Sequence, residues 1–262
     1  MGSPAEDRQM NPLWDAVMET PIYIALSRQM TLRQQMDVVA NNIANANTAG
    51  FKSEMILMSE VDLPSDPTTQ LSYVQDFATA RDFSPGTLRP TGNDLDLAIQ
   101  GNGFFAVQTP EGVRYTRVGR FQLDQNGTLV TSQGYPVLAG GGPVTINPDD
   151  GPINVAEDGS ISTDLARNGQ LLAAVGKLDV VDFANRQALT PSQDNLFDAG
   201  GQAPTAATGK VAQRMLEDSN VNPIVEMTSM IEVTRNYQAV QRFIDSEHER
   251  QRRAINSITS NS

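Results

Sequence analysis

The fold of this chain is decided at residues 40–52, which read Ala40-Asn41-Asn42-Ile43-Ala44-Asn45-Ala46-Asn47-Thr48-Ala49-Gly50-Phe51-Lys52. Asparagine and glycine tolerate the left-handed backbone found at helix C-termini, so this segment predicts where a long helix stops. Upstream of it, apolar residues recur in alternating steps of three and four. We name this stripe the first seam: Ile22, Ala25, Gln29, Leu32, Met36, Val39, Ile43 and Ala46. Its spacing is typical of a coiled coil, although an amphipathic helix packed on its own domain has a similar stripe. Thr20 and Pro21 suit the N-cap and first turn of this helix.

A second stripe of the same spacing lies near the other end of the chain. Asn222 and Pro223 are suited to the N-cap and first turn of a helix. The positions counted along this second seam are Met230, Val233, Tyr237, Val240, Ile244, His248, Gln251, Ile255 and Ile258. The two seams predict terminal helices that pair, with their remaining apolar surface covered by other chains.

The middle of the chain has the pattern of an all-β domain. Short runs of Val, Ile, Phe and Tyr recur every few residues and are separated by turn residues. Pro110-Glu111-Gly112 separates two such runs, and Asn126-Gly127 is a strong hairpin signal. Asp158-Gly159 repeats that signal, and Leu171–Val181 is the longest β-type run, which predicts a central strand. The predicted fold class is therefore α+β, with discontinuous N- and C-terminal coiled-coil-type helices flanking a central all-β domain.

These patterns divide the chain into six predicted segments. They are a leader (1–19), an N-terminal assembly helix (20–50), an irregular arm or linker (51–90), the central β domain (91–199), a linker (200–215) and a C-terminal assembly helix (216–262). The arm contains Leu63-Pro64-Ser65-Asp66-Pro67-Thr68-Thr69-Gln70, and the second linker is rich in Gly and Ala.

Charge and composition narrow the function classes. The net charge is −12, and residues 47–215 carry eleven basic and nineteen acidic residues. This balance argues against a nucleic-acid partner, which needs clustered Lys and Arg. The chain has no cysteine, which excludes disulfides, thiol nucleophiles and thiolate metal sites. No apolar run is long enough to predict a membrane span, and no cleavable signal pattern is present.

The sequence predicts no catalytic, cofactor-binding or metal-binding residue and no small-molecule substrate. The single histidine, His248, lies between Glu247 and Glu249, but no second histidine is present to complete a metal site. Asp124-Gln125-Asn126-Gly127 lacks the spacing of a calcium loop and is better explained as a hairpin turn. Gly101-Asn102-Gly103 leads directly into Phe104 and therefore is not a phosphate-binding loop. The chain is thus predicted not to be an enzyme.

Three blocks of sequence resemble the flagellar rod and hook axial protein family. The first is Asn41, Asn42, Ala44, Asn45, Thr48, Gly50, Phe51 and Lys52. The second is Leu95–Phe105 together with Tyr115-Thr116-Arg117 and Asp124–Gly127. The third is Leu216-Glu217-Asp218-Ser219-Asn220-Val221-Asn222. Within the family, the start, the length and the single modest β region are most similar to the proximal rod proteins of the F type.

The resemblance implies a structural role in the basal body. It implies assembly with copies of itself and with proximal and distal rod subunits. It also implies export by the flagellar type III apparatus without signal cleavage, and a location in the rod across the periplasm. The expected interface residues are Ile22, Leu32, Met36, Val39, Asn41, Asn42, Ile43, Asn45, Met230, Val233, Tyr237, Val240 and Ile244. The expected motif residues are Thr48, Gly50, Phe51, Lys52, Ser219, Asn220, Val221 and Asn222.

The alternatives are a distal rod or hook-type protein and, from another class, a secreted β protein that binds or hydrolyses carbohydrate. The secreted protein would need a concave aromatic or acidic cleft, whereas only 6% of this chain is aromatic.

Overall fold

The computed structural model describes residues 12–62, 72–147, 151–164 and 172–259. Over these residues, two long helices, α1 (Pro12–Ala44) and α2 (Pro223–Thr259), flank a β-rich region. The strands are β1 (Glu54–Asp62), β2 (Ser72–Arg81), β3 (Leu88–Pro90), β4 (Leu97–Gln100), β5 (Phe104–Thr109), β6 (Gly112–Thr116), β7 (Phe121–Leu123), β8 (Leu129–Thr131), β9 (Leu138–Ala139), β10 (Gly142–Pro143), β11 (Ile153–Val155), β12 (Ser160–Asp164), β13 (Leu172–Lys177), β14 (Val180–Asp182), β15 (Thr190–Pro191), β16 (Leu196–Asp198), β17 (Thr205–Ala206), β18 (Lys210–Gln213) and β19 (Met215–Glu217). The predicted α+β class with flanking helices is confirmed.

The chain forms two compact units. Unit 1 comprises Met1–Asn41, Ile56–Thr79 and Ile224–Ser262, and unit 2 comprises Asn42–Met55 and Ala80–Pro223. Unit 1 therefore contains most of α1, nearly all of α2, and most of the two-stranded sheet of β1 and β2.

The two helices follow the sequence patterns closely, except at the start of α1. The predicted start near Thr20-Pro21 is wrong, because α1 already begins at Pro12 and Pro21 lies inside it. Leu13 and Ala16 are good helix formers, so the residues before Pro21 favour extension of the helix toward the N-terminus, while Pro21 itself supplies no N–H for a helical hydrogen bond. Residues 1–11 of the predicted leader lie outside the described residues. At its other end, α1 stops at Ala44 in the Asn-rich segment, and Gly50 has the expected positive φ of 70°.

Unit 2 is built around β5. A six-stranded sheet has the order β15-β16-β6-β5-β14-β17, with antiparallel pairs throughout. Successive side chains of a strand point to opposite faces. Phe105 and Val107 accordingly pack into one buried cluster, and Phe104 and Ala106 pack into a second. β5 is thus buried on both faces, which explains its continuous apolar sequence.

The predicted turns lie where the sequence indicated. Pro110–Gly112 connects the antiparallel pair β5 and β6, and Asn126-Gly127 connects β7 and β8. Asp158-Gly159 connects β11 and β12 in the same way. The prediction that Leu171–Val181 is central is wrong. Its described part divides between β13, at the edge of the sheet β11-β12-β13, and β14 in the six-stranded sheet, because the chain changes sheet near Leu178.

Two segments predicted to be irregular contain strands. Residues 51–90 contribute β1, β2 and β3, while residues 63–70 lie outside the described residues. Residues 200–215 were expected to form a linker, but β18 pairs with β4 with Val211 opposite Ile99. β19 pairs with β3 with Leu216 opposite Arg89. These strands are short, and their partners are more than a hundred residues away, so local periodicity does not reveal them.

Candidate functional site

Two positions of the first seam, Gln29 and Met36, contact α2 within unit 1. All eight positions are buried or half-buried, and Leu32 is only 1% exposed, but Ala46 lies beyond the end of α1 at Ala44. Gln29 Nε2 donates a hydrogen bond to Gln241 Oε1, and Thr234 Oγ1 lies 4.0 Å from Met36 Sδ. The first seam is therefore already partly covered inside a single chain.

The second seam agrees with the structure as far as Ile244 and again at Gln251, which is half-buried. Met230, Val233, Tyr237 and Val240 are half-buried, and Ile244 is buried. Of the positions after Ile244, His248 and Ile255 are wrong, since both are exposed. The buried position is Glu247, because the alternation requires a step of three after Ile244. The side chain of Ile258 lies outside the described residues.

A second set of apolar side chains in unit 1 faces solvent and was missed in the sequence. It consists of Tyr23, Leu26 and Met30 on α1, Leu57 and Met58 on β1, and Met227, Ile231 and Phe243 on α2. We call these residues the exposed apolar set. Met30 is 64% exposed, and Leu26 is 46% exposed. On α1 they recur at steps of three and four beside the first seam, which is the signal that could have identified them.

The Asn-rich motif is mainly an internal element of unit 2. Asn42 is 1% exposed, and its side-chain amide pairs with the backbone of Glu54 through two hydrogen bonds of 2.9 Å. Thr48 Oγ1 donates to Asn45 Oδ1 at 3.2 Å. Asn41 is exposed, whereas Asn45 is half-buried. The structure therefore gives Asn42 bonds within its own chain, although it was expected at a subunit interface.

Gly50 is required by a close approach of two backbones. Its N–H donates to the carbonyl of Glu217 at 2.7 Å. A Cβ at this position would lie 2.6 Å from the backbone carbon of Arg117, and φ is +70°. Phe51, the next residue, is 6% exposed. Only glycine fits here.

Three charged side chains meet in the interior of unit 2, and we call them the charged clamp. Lys52, Arg117 and Glu217 are 2%, 5% and 2% exposed. Lys52 Nζ lies 2.6 Å from Glu217 Oε1, and Arg117 Nε lies 2.9 Å from Glu217 Oε2. The Gly86 N–H also donates to Glu217 Oε1, at 2.9 Å. Glu217 thus accepts bonds from three segments that are distant in sequence.

The remaining donors of the clamp bind backbone carbonyls. Arg117 donates to Gly103 at 2.6 Å, to Gly101 at 2.9 Å and to Ile99 at 3.2 Å, and Lys52 donates to Ser84 at 2.7 Å. Two cations therefore face one carboxylate. Burial lowers the pKa of Lys52, and the attraction of Glu217 offsets part of this effect. Burial likewise lowers the pKa of Arg117.

Residues of the C-terminal motif form hydrogen bonds to the chain segments next to the charged clamp. Asn220 Oδ1 accepts from the Ser53 N–H at 2.8 Å, and Asn220 Nδ2 donates to the Asp82 carbonyl at 2.8 Å. The Ser219 hydroxyl accepts from the N–H of Val221, which is buried. Asn222 is exposed and lies directly before α2. The motif residues thus anchor the segment that leads into the helix.

Three further observations bear on other functions. A polar cleft of about 520 Å³ in unit 2 is lined by amide and hydroxyl side chains such as Asn47, Gln133 and Asn195, and its lining contains no aromatic residue. Among the described residues, no group of three acidic or histidine side chains is placed to hold a metal ion. Within that part of the chain, neither helix combines the length and apolar character needed to span a membrane.

Comparison with known families identifies the chain. The sequence model of the flagella basal body rod protein matches residues 22–52, and that of the flagellar hook protein FlgE/F/G D1 domain matches residues 98–163. The model of the flagellar basal body rod FlgEFG protein C-terminal matches residues 212–257. The chain belongs to the flagellar basal-body rod protein family. Each matched region contributes one residue to the charged clamp, namely Lys52, Arg117 and Glu217 in that order.

Relatives in this rod protein family match almost the whole chain. The flagellar basal-body rod protein FlgF of Caulobacter vibrioides is 42% identical over 92% of this chain and 98% of its own length. FlgF of Salmonella typhimurium is 33% identical over 90% of this chain and 97% of its own length. The rod protein FlgG of Bacillus subtilis is 31% identical over 87% of this chain and 95% of its own length. The family consists of structural proteins, in agreement with the prediction that the chain is not an enzyme.

Proposed function

We propose that this chain is a structural subunit of the proximal flagellar rod, and that it polymerises through its terminal helices. Membership of the rod family and the identity to FlgF proteins support the rod and its proximal part. The observation that carries the proposed mode of assembly is the exposed apolar set of unit 1, including Leu26, Met30 and Ile231. Soluble proteins rarely leave contiguous apolar side chains on helices in water unless a partner covers them.

The energy available to assembly follows from the exposure of these side chains. Tyr23, Leu26, Met30, Met227, Ile231 and Phe243 are between 46% and 64% exposed. Covering roughly half of a large apolar side chain contributes about 1 kcal/mol. The six together offer on the order of 6 kcal/mol per subunit, and a head-to-tail arrangement repeats this contact along a helical polymer.

The seam residues have a supporting role in this proposal. Leu32, Val39, Val233 and Tyr237 stay at the helix contact within unit 1 of each subunit, and the exposed apolar set meets the neighbours. The partners are other rod subunits and further copies of this chain. Export by the flagellar type III apparatus without signal cleavage, and passage of the rod across the periplasm, complete the proposal, which rests here on family membership.

Two other functions are less well supported. A distal rod role is represented by FlgG relatives, which are 31% to 35% identical, compared with 42% for the FlgF protein of Caulobacter vibrioides. A carbohydrate-binding role has no favouring observation, because sugar recognition uses aromatic stacking surfaces and the polar cleft has none.

The test is complementation of a strain that lacks the gene. The wild-type gene is expected to restore complete rods and swimming, whereas a Leu26→Glu, Met30→Glu double variant is expected to leave rods short. Arg33→Glu is the matched control, because Arg33 is an exposed charged residue of the same helix. Complete basal bodies in the uncomplemented deletion strain would refute the rod assignment. Normal rods with the double variant would refute the exposed apolar set as the assembly surface.

A further inference from the structure

Every covalent connection of unit 2 to unit 1 runs through three segments. The chain passes between the units at residues 41/42, 55/56, 79/80 and 223/224. The first segment is residues 42–55, which lie between the first two crossings. The second is residues 80–90, which follow the third crossing, and the third is residues 215–223, which precede the fourth. Force or torque carried by α1, α2 or the sheet of β1 and β2 can therefore reach unit 2 through bonded chain only at these segments.

The three segments are bonded to one another. The Asp82 N–H donates to the Ser53 carbonyl at 2.9 Å, and Asn220 bonds to both Ser53 and Asp82. Arg81 and Glu54 form an ion pair between the first two segments. The Gly50 N–H donates to the carbonyl of Glu217, which joins the first and third.

We call the three bonded segments the joint. The charged clamp connects the joint to the β-rich core of unit 2. Glu217 Oε1 holds Lys52 of the first segment and the Gly86 N–H of the second, while Oε2 holds Arg117. Arg117 in turn holds the carbonyls of the turn between β4 and β5, the strand that is buried on both faces. A continuous set of charge-assisted bonds thus runs from the connecting segments to the central strand.

We propose that Lys52, Glu217 and Arg117 are positioning residues that make this joint stiff, so that load entering along any connection is shared among all three segments. This inference rests on the proposed rod function, because only a subunit of a rotating shaft carries such a load. The hydrophobic effect is non-directional, whereas a buried carboxylate with charged donors at fixed angles is directional. Burial of ion pairs adds little stability compared with apolar packing, but it can fix a unique geometry.

A variant that opens the clamp without unfolding unit 2 tests the proposal. Lys52→Met removes one cation and leaves the neutral pair of Glu217 and Arg117 in place, so the fold is expected to survive. Lys52→Arg keeps the charge, and Asn220→Ala removes the neutral bonds of the same joint. Ile161→Val is the control for lost stability, since Ile161 is 1% exposed in the core of unit 2 and far in sequence from the clamp. Asp218→Asn is the control for the neighbouring exposed ion pair with Arg89.

The first measurement is amide hydrogen exchange on the purified full chain. In Lys52→Met the amides of Gly50 and Ser53 are expected to exchange about tenfold faster, the change produced by losing one bond to a charged group. The amide of Ala106 in β5, which bonds to Asp179, is expected to be unchanged. Unchanged exchange at Gly50 and Ser53 would overturn the proposal.

The second measurement is swimming of complemented cells at increasing viscosity. Lys52→Met and Asn220→Ala are expected to build rods of full length and to swim normally in buffer. They are expected to lose about half or more of the wild-type speed at high load, an effect absent from Lys52→Arg, Ile161→Val and Asp218→Asn. An equal loss of speed in Ile161→Val, or no loss of speed in Lys52→Met and Asn220→Ala, would overturn the proposed role of the joint. If the wild-type gene itself failed to restore rods, the proposed function would fail instead, whatever the exchange result.

Discussion

Replacing Glu217 by glutamine is the sharpest test of how the charged clamp stabilises unit 2. The substitution keeps the size of the side chain and removes its charge. It leaves Lys52 and Arg117 buried, at 2% and 5% exposure, without the carboxylate that both contact. Breaking a buried ion pair by removing one partner costs about 3–5 kcal/mol. At about 2–4 °C per kcal/mol for a domain of this size, the melting temperature should fall by roughly 6–20 °C.

The control for this substitution is one residue away. Asp218 pairs with Arg89 at 3.1 Å, but the two side chains are 39% and 52% exposed. Exposed pairs contribute about 0–1 kcal/mol, so Asp218→Asn should shift the melting temperature by only a few degrees. A Lys52→Met, Glu217→Gln double variant should lose less stability than the sum of the two single variants, since it leaves one buried cation instead of two.

The assay is urea and thermal unfolding of the purified chain, followed by far-ultraviolet circular dichroism. A loss of stability in Glu217→Gln no larger than that in Asp218→Asn would refute the reasoning. So would strictly additive losses in the double variant, because Lys52 and Arg117 share the Glu217 carboxylate.

Three further predictions follow from the structure of unit 2. Gly50→Ala should destabilise unit 2 by more than about 1–2 kcal/mol in urea unfolding, because the new Cβ would meet the backbone of Arg117 at 2.6 Å with φ at +70°; unchanged stability would contradict the close approach. Phe105→Ala should cost about 3–5 kcal/mol, since Phe105 is fully buried and packs edge-to-face on Phe121; Val113→Ala, at a 39% exposed position, should change stability by less than about 0.5 kcal/mol. Burial lowers the pKa of Lys52, so the unfolded chain binds the Lys52 proton more tightly than the folded chain does. The free energy of unfolding should therefore rise as the pH increases from the lowered pKa toward the ordinary lysine value. Measured as the difference between wild type and Lys52→Met across that range, this rise should appear only in the wild type; a fall would contradict the sign.

The helices show how far a sequence pattern reaches. The first seam, the second seam up to Ile244, and the stop at Ala44 could all be read locally, because a helix brings residues three and four apart onto one face. The count of positions along the second seam is wrong at His248, because it takes two successive steps of four, from Val240 to Ile244 and from Ile244 to His248. It missed Leu26 and Met30 because a single stripe was sought on a helix that has apolar residues on two faces.

The charged clamp could not be predicted in this way. Lys52 and Glu217 are 165 residues apart, and Arg117 and Glu217 are 100 apart, so no local period links them. The motifs did contain all three residues, but a motif does not say whether a charge is buried or faces solvent. The pairing of β18 with β4 and β19 with β3 escaped prediction for the same reason, since short strands acquire their partners only in the folded unit.

The central claim is that neighbouring subunits cover the exposed apolar set. The chain has no cysteine, so a single Leu26→Cys substitution provides a unique label site at a 46% exposed position. Gln125→Cys, in the exposed turn between β7 and β8, is the reference site. We predict that a maleimide labels Cys at position 26 readily in the purified monomer and not in isolated basal bodies, while position 125 is labelled in both. Equal labelling of position 26 in monomer and rod would contradict the proposed assembly.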